Sequence, residues 1–308
     1  MKEYDVIIVG GGPGGLSASI YAARTNLKTA IIEKGLLGGQ LQNTAEVENY
    51  AGFTTIMGPE LAQKMEDHAK HFGVEIITDT VTHIEDGKMK TIRTESGEIY
   101  QAKAVIASAG GSPRYIDKPG EKEYWGKGVS YCATCDGFFY RNKDIAVVGG
   151  GDSAFEEGHY LTKFGKKVTL IHRSEHFRAQ PILQDRFNES DVTEVLTNKT
   201  IKEIAGEPIA GVKKVIIEDN ITGEVSEIPV DGVFVFVGFI PNGSIFPEGI
   251  EFDENGAAIT DFKCETKIPG IFAIGDLRSQ LTRQVATAVG DGATAGVAVG
   301  QYISEHFE

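Results

Sequence analysis

Residues 5–15 of the chain read DVIIVGGGPGG, a short apolar run followed at once by a glycine-rich one. Gly10, Gly12 and Gly15 occupy the three glycine positions of the G-x-G-x-x-G pattern, with Pro13 between them. In that pattern the first glycine makes the turn from strand to helix and the second lets the backbone approach a pyrophosphate. The third lets the helix pack closely on the strand.

The residues after this loop complete a dinucleotide fingerprint. Small apolar residues predict a helix over about 16–24, and a second apolar run at 29–32 ends in Glu33. The helix N-terminus favours negative charge, so a pyrophosphate is expected there. A carboxylate at the end of the second strand suits a ribose diol. The glycine pattern alone is a weak signal, but strand, helix, strand and terminal acid together predict a dinucleotide site.

The same pattern begins again in the middle of the chain. Residues 144–148 form an apolar run, which GGGDSA at 149–154 and a helical stretch to about 164 follow. The loop positions assigned to this second dinucleotide site are Gly149, Gly151, Asp152, Ser153 and Ala154.

The two predicted sites differ at the end of their second strand. The strand at 167–171 is followed by His172 and Arg173, where the first site has Glu33. A carboxylate there would repel a 2′-phosphate, whereas Arg173 and Arg178 could pair with one through charge-assisted hydrogen bonds. The sequence therefore predicts a nucleotide without a 2′-phosphate at the first site and NADP at the second.

A cysteine pair lies between the two fingerprints, in CATCDG at 132–137. Cys132 and Cys135 can close a small disulfide ring and can pass electrons as a dithiol/disulfide pair. The same spacing begins many zinc sites, but the only other cysteine is Cys264 and no second ligand pair is present. The adjacent Asp136 can manage protons during thiol exchange. A redox pair without a metal is therefore predicted.

Composition narrows the class of protein. The chain has 308 residues, enough for about two domains. Its 30 Lys and Arg against 44 Asp and Glu give a formal net charge of −14, which argues against nucleic acid and anionic membrane as partners. No apolar run is long enough to span a bilayer, and residues 1–5 lack a secretory layout. A cytoplasmic protein is expected, and there a Cys-x-x-Cys pair is catalytic more often than structural.

The last part of the chain predicts how the domains are organised. An apolar run at 270–274 ends in Gly275 and Asp276, and a helix is predicted over about 283–303. Neither piece completes a fold alone, so we expect it to return to the first domain. The prediction is an α/β protein with two Rossmann-like, three-layer ββα dinucleotide-binding domains, the second inserted into the first. Their predicted ranges are 1–112 with 244–308, and 113–243.

With CATCDG between two such fingerprints, the sequence resembles the low-molecular-weight thioredoxin reductases over essentially its whole length. The segments that carry the resemblance are, in order, 10–15, 38–40, 48–50, 132–137, 149–154, 172–173, 275–276 and 283–284. The resemblance implies a homodimeric thioredoxin-disulfide reductase that contains FAD. In that family, electrons pass from NADPH through the flavin to the cysteine pair and on to thioredoxin.

The resemblance also implies a role for each matching residue. FAD would be bound in the first domain by Gly10, Gly12, Pro13, Gly15, Glu33, Gly39, Gln40, Asn49, Gly275, Asp276, Arg283 and Gln284. The nicotinamide nucleotide would be bound in the second domain by Gly149, Gly151, Asp152, Ser153, Ala154, His172, Arg173 and Arg178. Cys135 would face the flavin, Cys132 would attack the thioredoxin disulfide, and Asp136 would donate and accept the proton.

One residue departs from the family pattern and leaves alternatives open. The family's His-Arg-Arg-x-x-x-Arg segment has Ser174 at its third position here. Loss of one of three phosphate-pairing arginines is expected to weaken the preference for NADPH, so NADH or an atypical electron donor remains open. Another alternative is a flavin-dependent reductase of a glutaredoxin-like or peroxiredoxin-linked partner. A non-catalytic, nucleotide-dependent redox sensor is a further one.

Overall fold

The computed structural model describes residues 2–44 and 46–307, so expectations that touch Met1, Ala45 and Glu308 lie outside the described residues. The chain divides into two compact units. The first unit holds the described residues up to Ser112 and from Ile240 onward, and the second holds Pro113–Phe239. The second crossing between the units lies at 239/240, whereas the predicted one lies at 243/244.

The first unit opens with the predicted alternation of strands and helices. Its elements before the first crossing are β1 (Lys2–Val9), α1 (Pro13–Ala23), β2 (Thr29–Glu33), β3 (Glu46–Val47), β4 (Ile56–Met57), α2 (Gly58–His71), β5 (Glu75–Thr78), β6 (Val81–Glu85), β7 (Lys90–Thr94), β8 (Ile99–Ala107) and β9 (Gly111–Pro113). A 3-10 helix occupies Gly39–Asn43. Helix α1 begins at Pro13, earlier than predicted, because proline suits the first helical turn, where no N–H is needed.

The second unit is a complete three-layer fold. Its elements are β10 (Val129–Ser130), α3 (Ala133–Asp136), β11 (Asp144–Gly149), α4 (Asp152–Leu161), β12 (Lys167–Ile171), α5 (Pro181–Asn188), β13 (Thr193–Leu196), β14 (Lys199–Glu207), β15 (Gly211–Asp219), β16 (Val225–Pro229) and β17 (Gly232–Phe236). A parallel sheet has the order β10-β17-β11-β12-β13, and an antiparallel sheet has the order β14-β15-β16.

Two apolar clusters separate these three layers. The cluster containing Phe155 and Phe187 lies between the parallel sheet and the helices. The cluster containing Val215 and Ile217 lies between the parallel sheet and the antiparallel one. Both faces of the parallel sheet are therefore buried, which explains why its strands read as continuous apolar runs rather than alternating ones.

The last part of the chain completes the sheet of the first unit. It contributes β18 (Phe239–Pro241), β19 (Ile271–Ala273) and α6 (Val285–Phe307), with 3-10 helices at Gly243–Ile245 and Gly275–Leu277. The sheet has the order β5-β2-β1-β8-β7-β6. The first half of β8 pairs antiparallel with β7, and its second half pairs parallel with β19. The predicted α/β fold with two dinucleotide-type sheets is confirmed.

Helix α6 is held against α1 by close backbone contact. A Cβ at Gly292 would lie 2.3 Å from the carbonyl oxygen of Gly14, and one at Gly296 would lie 2.8 Å from that of Ala18. Glycine at both positions lets the two helices approach closely over the sheet. Among the described residues, no helix combines the length and the apolar character needed to cross a bilayer.

Candidate active site

The first glycine loop is tight at both ends and open in its middle. Gly10 has a φ of +102°, and a Cβ there would lie 2.3 Å from the carbonyl oxygen of Ser108. A Cβ at Gly15 would lie 2.0 Å from the carbonyl oxygen of Gly10. Gly12, at the N-terminus of α1, has no heavy atom within 4 Å of the position of a Cβ. The loop therefore leaves room for an anion at the helix N-terminus.

Glu33 is the last residue of β2, and its side chain hydrogen-bonds to this loop. Its Oε2 accepts a hydrogen bond from the N–H of Gly11 at 2.7 Å, and its Oε1 accepts one from the N–H of Gly35 at 3.0 Å. A Cβ at Gly39 would lie 3.1 Å from the Cα of Gly12, so the next loop packs on the first. Each carboxylate oxygen has a second lone pair, which leaves Glu33 able to accept from a ribose hydroxyl.

Residues from the end of the chain reach the same edge of the sheet. The space beside Gly14 is closed by the carbonyl oxygen of Ala288 and by Ile274 Cδ1, at 3.1 and 3.3 Å from the position of a Cβ. The carboxyl ends of parallel strands meet at one edge of a sheet, so the segment after β19 lies beside the loop after β1. The structure thus brings the predicted Gly275–Asp276 segment to the first glycine loop.

The polar residues of that returning segment are partly buried. Gly275, with a φ of +63°, donates its N–H to Asp291 Oδ2 at 3.1 Å. Burial raises the pKa of the Asp276 carboxyl, while the nearby Arg283 guanidinium acts in the opposite direction. Asp276 is half-buried and has lost part of its hydration. A ligand hydroxyl at this edge could replace that water by donating a hydrogen bond to its carboxyl group.

Two predicted residues far apart in sequence meet at this edge. Asn49 Nδ2 donates a hydrogen bond to Gln284 Oε1 at 3.0 Å. Gln40 lies exposed in the 3-10 helix Gly39–Asn43, and Arg283 is exposed just before α6. The side chains of Asn49 and Gln284 therefore form one polar group, to which Gln40 makes no hydrogen bond.

The second glycine loop repeats the open middle of the first. Gly151 is at the N-terminus of α4, and no heavy atom lies within 4 Å of the position of a Cβ there. A Cβ at Gly149 would lie 2.7 Å from the Cβ of Ala154, so only one of these two positions can carry a side chain. Asp152 accepts hydrogen bonds from the backbone N–H and the Nε2 of Gln180, at 2.8 and 2.9 Å. Ser153 is exposed on the first turn of α4.

The basic segment after β12 lies against this second loop. A Cβ at Gly150 would lie 2.2 Å from the ring of His172, and the N–H of Arg178 donates to the carbonyl oxygen of Gly150 at 2.8 Å. Ser174 Oγ and His172 Nε2 are 2.9 Å apart, within hydrogen-bond distance. Arg173 and Arg178 are exposed, and neither forms an ion pair within the described part of the chain. Both guanidinium groups are therefore available to an anion.

The cysteine pair forms a disulfide at the start of a single helical turn. Cys132 and Cys135 are joined with a Cα–Cα distance of 5.4 Å. Cys132 Sγ accepts a hydrogen bond from the N–H of Cys135 at 3.1 Å, and the N–H of Cys132 donates to Ser130 Oγ at 3.1 Å. Cys135 is exposed and Cys132 half-buried. A Cβ at Gly137 would lie 3.0 Å from Leu161 Cδ2, so glycine lets this turn pack on α4.

Polar and aromatic residues adjoin the disulfide within the second unit. Asp136 is half-buried at the end of α3 and donates its N–H to the carbonyl oxygen of Cys132 at 3.3 Å. Phe138 and Phe139 follow and are 61% and 67% exposed. No cluster of three or more metal-ligating side chains occurs in residues 2–44 and 46–307. Two sulfurs bonded to each other also cannot act as thiolate ligands of zinc.

The third cysteine lies in the first unit, away from solvent. Cys264 is buried, with Arg278 Nη1 2.9 Å from its sulfur. Burial raises the pKa of its thiol to about 11, so it stays protonated at neutral pH.

The sequence did not reveal two acids that contact the segment around the disulfide. Glu157 Oε2 accepts a hydrogen bond from the N–H of Ala133 at 3.2 Å. Glu121 is fully buried and accepts hydrogen bonds from Tyr131 Oη at 2.9 Å and from the N–H of Asp117 at 2.7 Å. The sequence did hold one signal for Glu157, its spacing in the helix. It lies three residues after Ala154 and four before Leu161, so it shares a helix face with these two buried residues. No comparable signal marks Glu121.

Comparison with known proteins agrees with this arrangement. The family described as pyridine nucleotide-disulphide oxidoreductase matches residues 4–292. The thioredoxin reductase of Bacillus subtilis (strain 168) is 48% identical over 304 residues, which cover 99% of this chain and 96% of that protein. The chain belongs to the pyridine nucleotide-disulphide oxidoreductases and, among them, to the low-molecular-weight thioredoxin reductases.

Two solved structures are similar over nearly the whole chain. The Lactococcus lactis thioredoxin reductase in its FR conformation has a TM-score of 0.95 and 45% identity, covering 98% of this chain and 99% of that one. The T. acidophilum thioredoxin reductase has a TM-score of 0.93 and 35% identity, covering 99% of each chain. Family membership implies that a flavin and a pyridine nucleotide take part in the activity.

Proposed function

We propose that the chain is a thioredoxin-disulfide reductase that passes electrons from NADPH through FAD to the Cys132–Cys135 disulfide and on to oxidised thioredoxin. The observation that carries the proposal is this disulfide, which opens a helical turn that contacts α4 at Glu157 and Leu161. The same helix begins at the second glycine loop, so one unit holds both a redox pair and a nucleotide cradle. The similarity to thioredoxin reductases over the full chain supports this function over that of a redox sensor.

The residues of the first unit fit FAD. The open space at Gly12 would take the pyrophosphate, with Gly10, Pro13 and Gly15 shaping the loop, and Glu33 would bind the adenosine ribose. The residues that would line the flavin side are Gly39, Gln40, Asn49, Gly275, Asp276, Arg283 and Gln284. When bound, a flavin supplies the means to convert hydride from a nicotinamide into two electrons for a disulfide.

The residues of the second unit fit NADPH. Gly151 leaves the space for a pyrophosphate, with Gly149, Asp152, Ser153 and Ala154 around it. Arg173 and Arg178 would pair with the 2′-phosphate, since both are exposed beside the loop and no carboxylate ends β12. Ser174 stands where the family pattern has a third arginine, so one positive charge for the 2′-phosphate is missing. NADH is therefore the second candidate electron donor. His172 supports the loop from beneath Gly150.

The two cysteines divide the thiol chemistry between them. The N–H of Cys135 points at Cys132 Sγ and favours a thiolate there once the disulfide is reduced. That thiolate attacks the thioredoxin disulfide to form a mixed disulfide. The Cys135 thiol then attacks Cys132 Sγ, which restores the internal disulfide and releases reduced thioredoxin. Asp136, at the end of the same turn, would donate and accept the proton.

The wider assignments follow from the same proposal. The first unit would be the FAD-binding domain and the second the NAD(P)H-binding domain. Exposed Phe138 and Phe139, beside the disulfide, offer an apolar surface on which thioredoxin would dock. A homodimer is proposed from the family resemblance. A cytoplasmic location fits a Cys-x-x-Cys pair that is catalytic rather than structural.

The test is steady-state reduction of a panel of thioredoxins with NADPH and NADH in parallel. We expect turnover with thioredoxin and a higher kcat/KM with NADPH. The matched control is Cys135→Ser, which should keep flavin reduction by NADPH in stopped-flow measurements and lose thioredoxin reduction. Rapid flavin reduction without reduction of any thioredoxin would point to another dithiol protein. Absence of rapid flavin reduction would point to a redox sensor.

A further inference from the structure

We propose that Glu157 is a positioning residue that takes up a proton when the Cys132–Cys135 disulfide is reduced. Its ionisation and the redox state of the pair would then be coupled. The inference deepens the proposed function and rests on it only for the source of the electrons. The disulfide and Glu157 both belong to the second unit.

The geometry joins Glu157 to the disulfide through one peptide group. Its Oε2 accepts a hydrogen bond from the N–H of Ala133 at 3.2 Å. Ala133 is fully buried and follows Cys132 directly, so this N–H belongs to the turn that the disulfide closes. Glu157 itself is half-buried, on the side of α4 that also presents Ala154 and Leu161. A charge on Glu157 is therefore held against the peptide group that follows Cys132, and it is screened only in part by water.

No cation balances this carboxylate within the described residues, since Glu157 forms no ion pair there. Burial raises its pKa to about 7, the Ala133 N–H acts in the opposite direction, and the neighbouring Glu156 raises it further. Besides the cysteine pair itself, the other charged or titratable groups on α4 and on the elements packed against it are Asp136 on α3, Asp144 on β11, Asp152, His159 and Tyr160 on α4, Lys167 on β12, and Asp185 and Arg186 on α5. None of these contributes to the shift.

Reduction changes the charge next to Glu157. The S–S bond breaks as it receives two electrons, which the flavin supplies in the proposed reaction. With the carboxylate and two protons, the products are one thiol, one thiolate and one carboxylic acid, so the total charge of the group stays at −1. Without the second proton, a thiolate and a carboxylate would both adjoin the Cys132–Ala133 peptide group, and Glu157 has no ion-pair partner within the described residues. Because like charges favour protonation of one partner, Glu157 is where that proton goes.

The test follows the two thiols of the purified full-length protein after reduction by dithiothreitol and its removal. The rate of alkylation by iodoacetamide is measured from pH 5.5 to 9, with mass spectrometry separating Cys132 from Cys135. In the unmodified chain, coupling predicts a thiolate fraction that rises in two steps. Glu157→Gln keeps an oxygen acceptor for Ala133 but cannot ionise. It should lose the step that Glu157 contributes and alkylate about three- to tenfold faster at pH 7.5.

The control variant is Glu189→Gln, which removes an exposed acid from the same unit and should leave the two-step profile unchanged. Identical profiles for the unmodified chain and Glu157→Gln, whatever their number of steps, would overturn the proposal. If Glu157→Gln does not fold, Glu157→Asp keeps an acid and should retain two steps; a single step there would count against coupling. Infrared difference spectra of the unmodified chain should gain a carboxylic acid band on reduction, and its absence would also overturn the proposal.

These measurements are independent of FAD, NADPH and thioredoxin. A two-step profile in a chain that fails to reduce thioredoxin would leave the coupling intact and remove only the proposed function. A chain that reduces thioredoxin but shows one step would do the reverse.

Discussion

The loop at 10–15 is completed by Glu33, whereas the loop at 149–154 is completed by His172 and Arg173. In the first, the carboxylate of Glu33 accepts the N–H of Gly11 at 2.7 Å. In the second, an imidazole ring packs beneath Gly150. The residue after the second strand therefore supports the loop in both cases, and it leaves opposite charge at the edge of the two sheets. One position thus sets both the support of the loop and the charge beside it.

The third position of each loop shows a second difference. A Cβ at Gly15 would lie 2.0 Å from a backbone oxygen, while Ala154 is accommodated because Gly149 has no side chain. The first loop is therefore the tighter of the two, since backbone cannot yield as a flexible side chain can.

The largest expected effect comes from adding one methyl group to the tighter loop. Gly15→Ala should lower the free energy of unfolding by about 3 kcal/mol and abolish flavin binding, because the helix must move away from the strand. Urea unfolding and the flavin content of the purified protein measure both effects. The counterpart is Ala154→Gly, which should cost about 1 kcal/mol and retain NADPH binding. Equal costs at the two positions would contradict the difference in tightness.

An intermediate effect is expected from removing charge at the second loop. Arg173→Ala should weaken NADPH binding by about 1.5–3 kcal/mol, or roughly ten- to a hundredfold, through loss of a charge-assisted hydrogen bond. NADH, which lacks the 2′-phosphate, should bind with nearly unchanged affinity. Equilibrium titration with each nucleotide provides the measurement. Lys166→Ala removes an exposed charge elsewhere in the same unit and should affect neither nucleotide.

The smallest expected effect comes from restoring an arginine. Ser174→Arg should tighten NADPH binding about tenfold and leave NADH binding unchanged. The substitution also removes the hydroxyl near His172, so Ser174→Ala serves as the control for that loss alone. If Ser174→Arg changed NADPH and NADH binding equally, this residue would not select between them.

The sequence predicted the parts of the fold that depend on local signals. Strands β2 and β12 lie where their apolar runs do. The first turn of each fingerprint is fixed by a position that only glycine can occupy. At Gly10 the presence of glycine already indicated a positive φ, which the structure has.

The parts that the sequence did not predict depend on which distant segments meet. Asn49 contacts Gln284 across 235 residues, and Ala133 contacts Glu157 across 24. Neighbouring acids in one helix look equivalent in sequence, and only the packing of α3 on α4 separates Glu157 from exposed Glu156. The predicted helix ends were also imprecise. Helix α4 ends at Leu161 rather than near 164, because helix ends fray and carry weak local signals.

The pairing of β19 with β8 has a consequence for how the chain is made. The wall beside the first glycine loop includes Ile274 and Ala288, which the ribosome adds only after all of 113–239 has been synthesised. The second unit can thus complete its sheet before the first unit has its last strand. This is the reverse of the usual order, in which the N-terminal domain folds first during translation. Until β19 arrives, Val105–Ala107 presents an open strand edge, the kind of surface on which nascent chains misassemble. The first glycine loop is therefore the last to gain its complete surroundings.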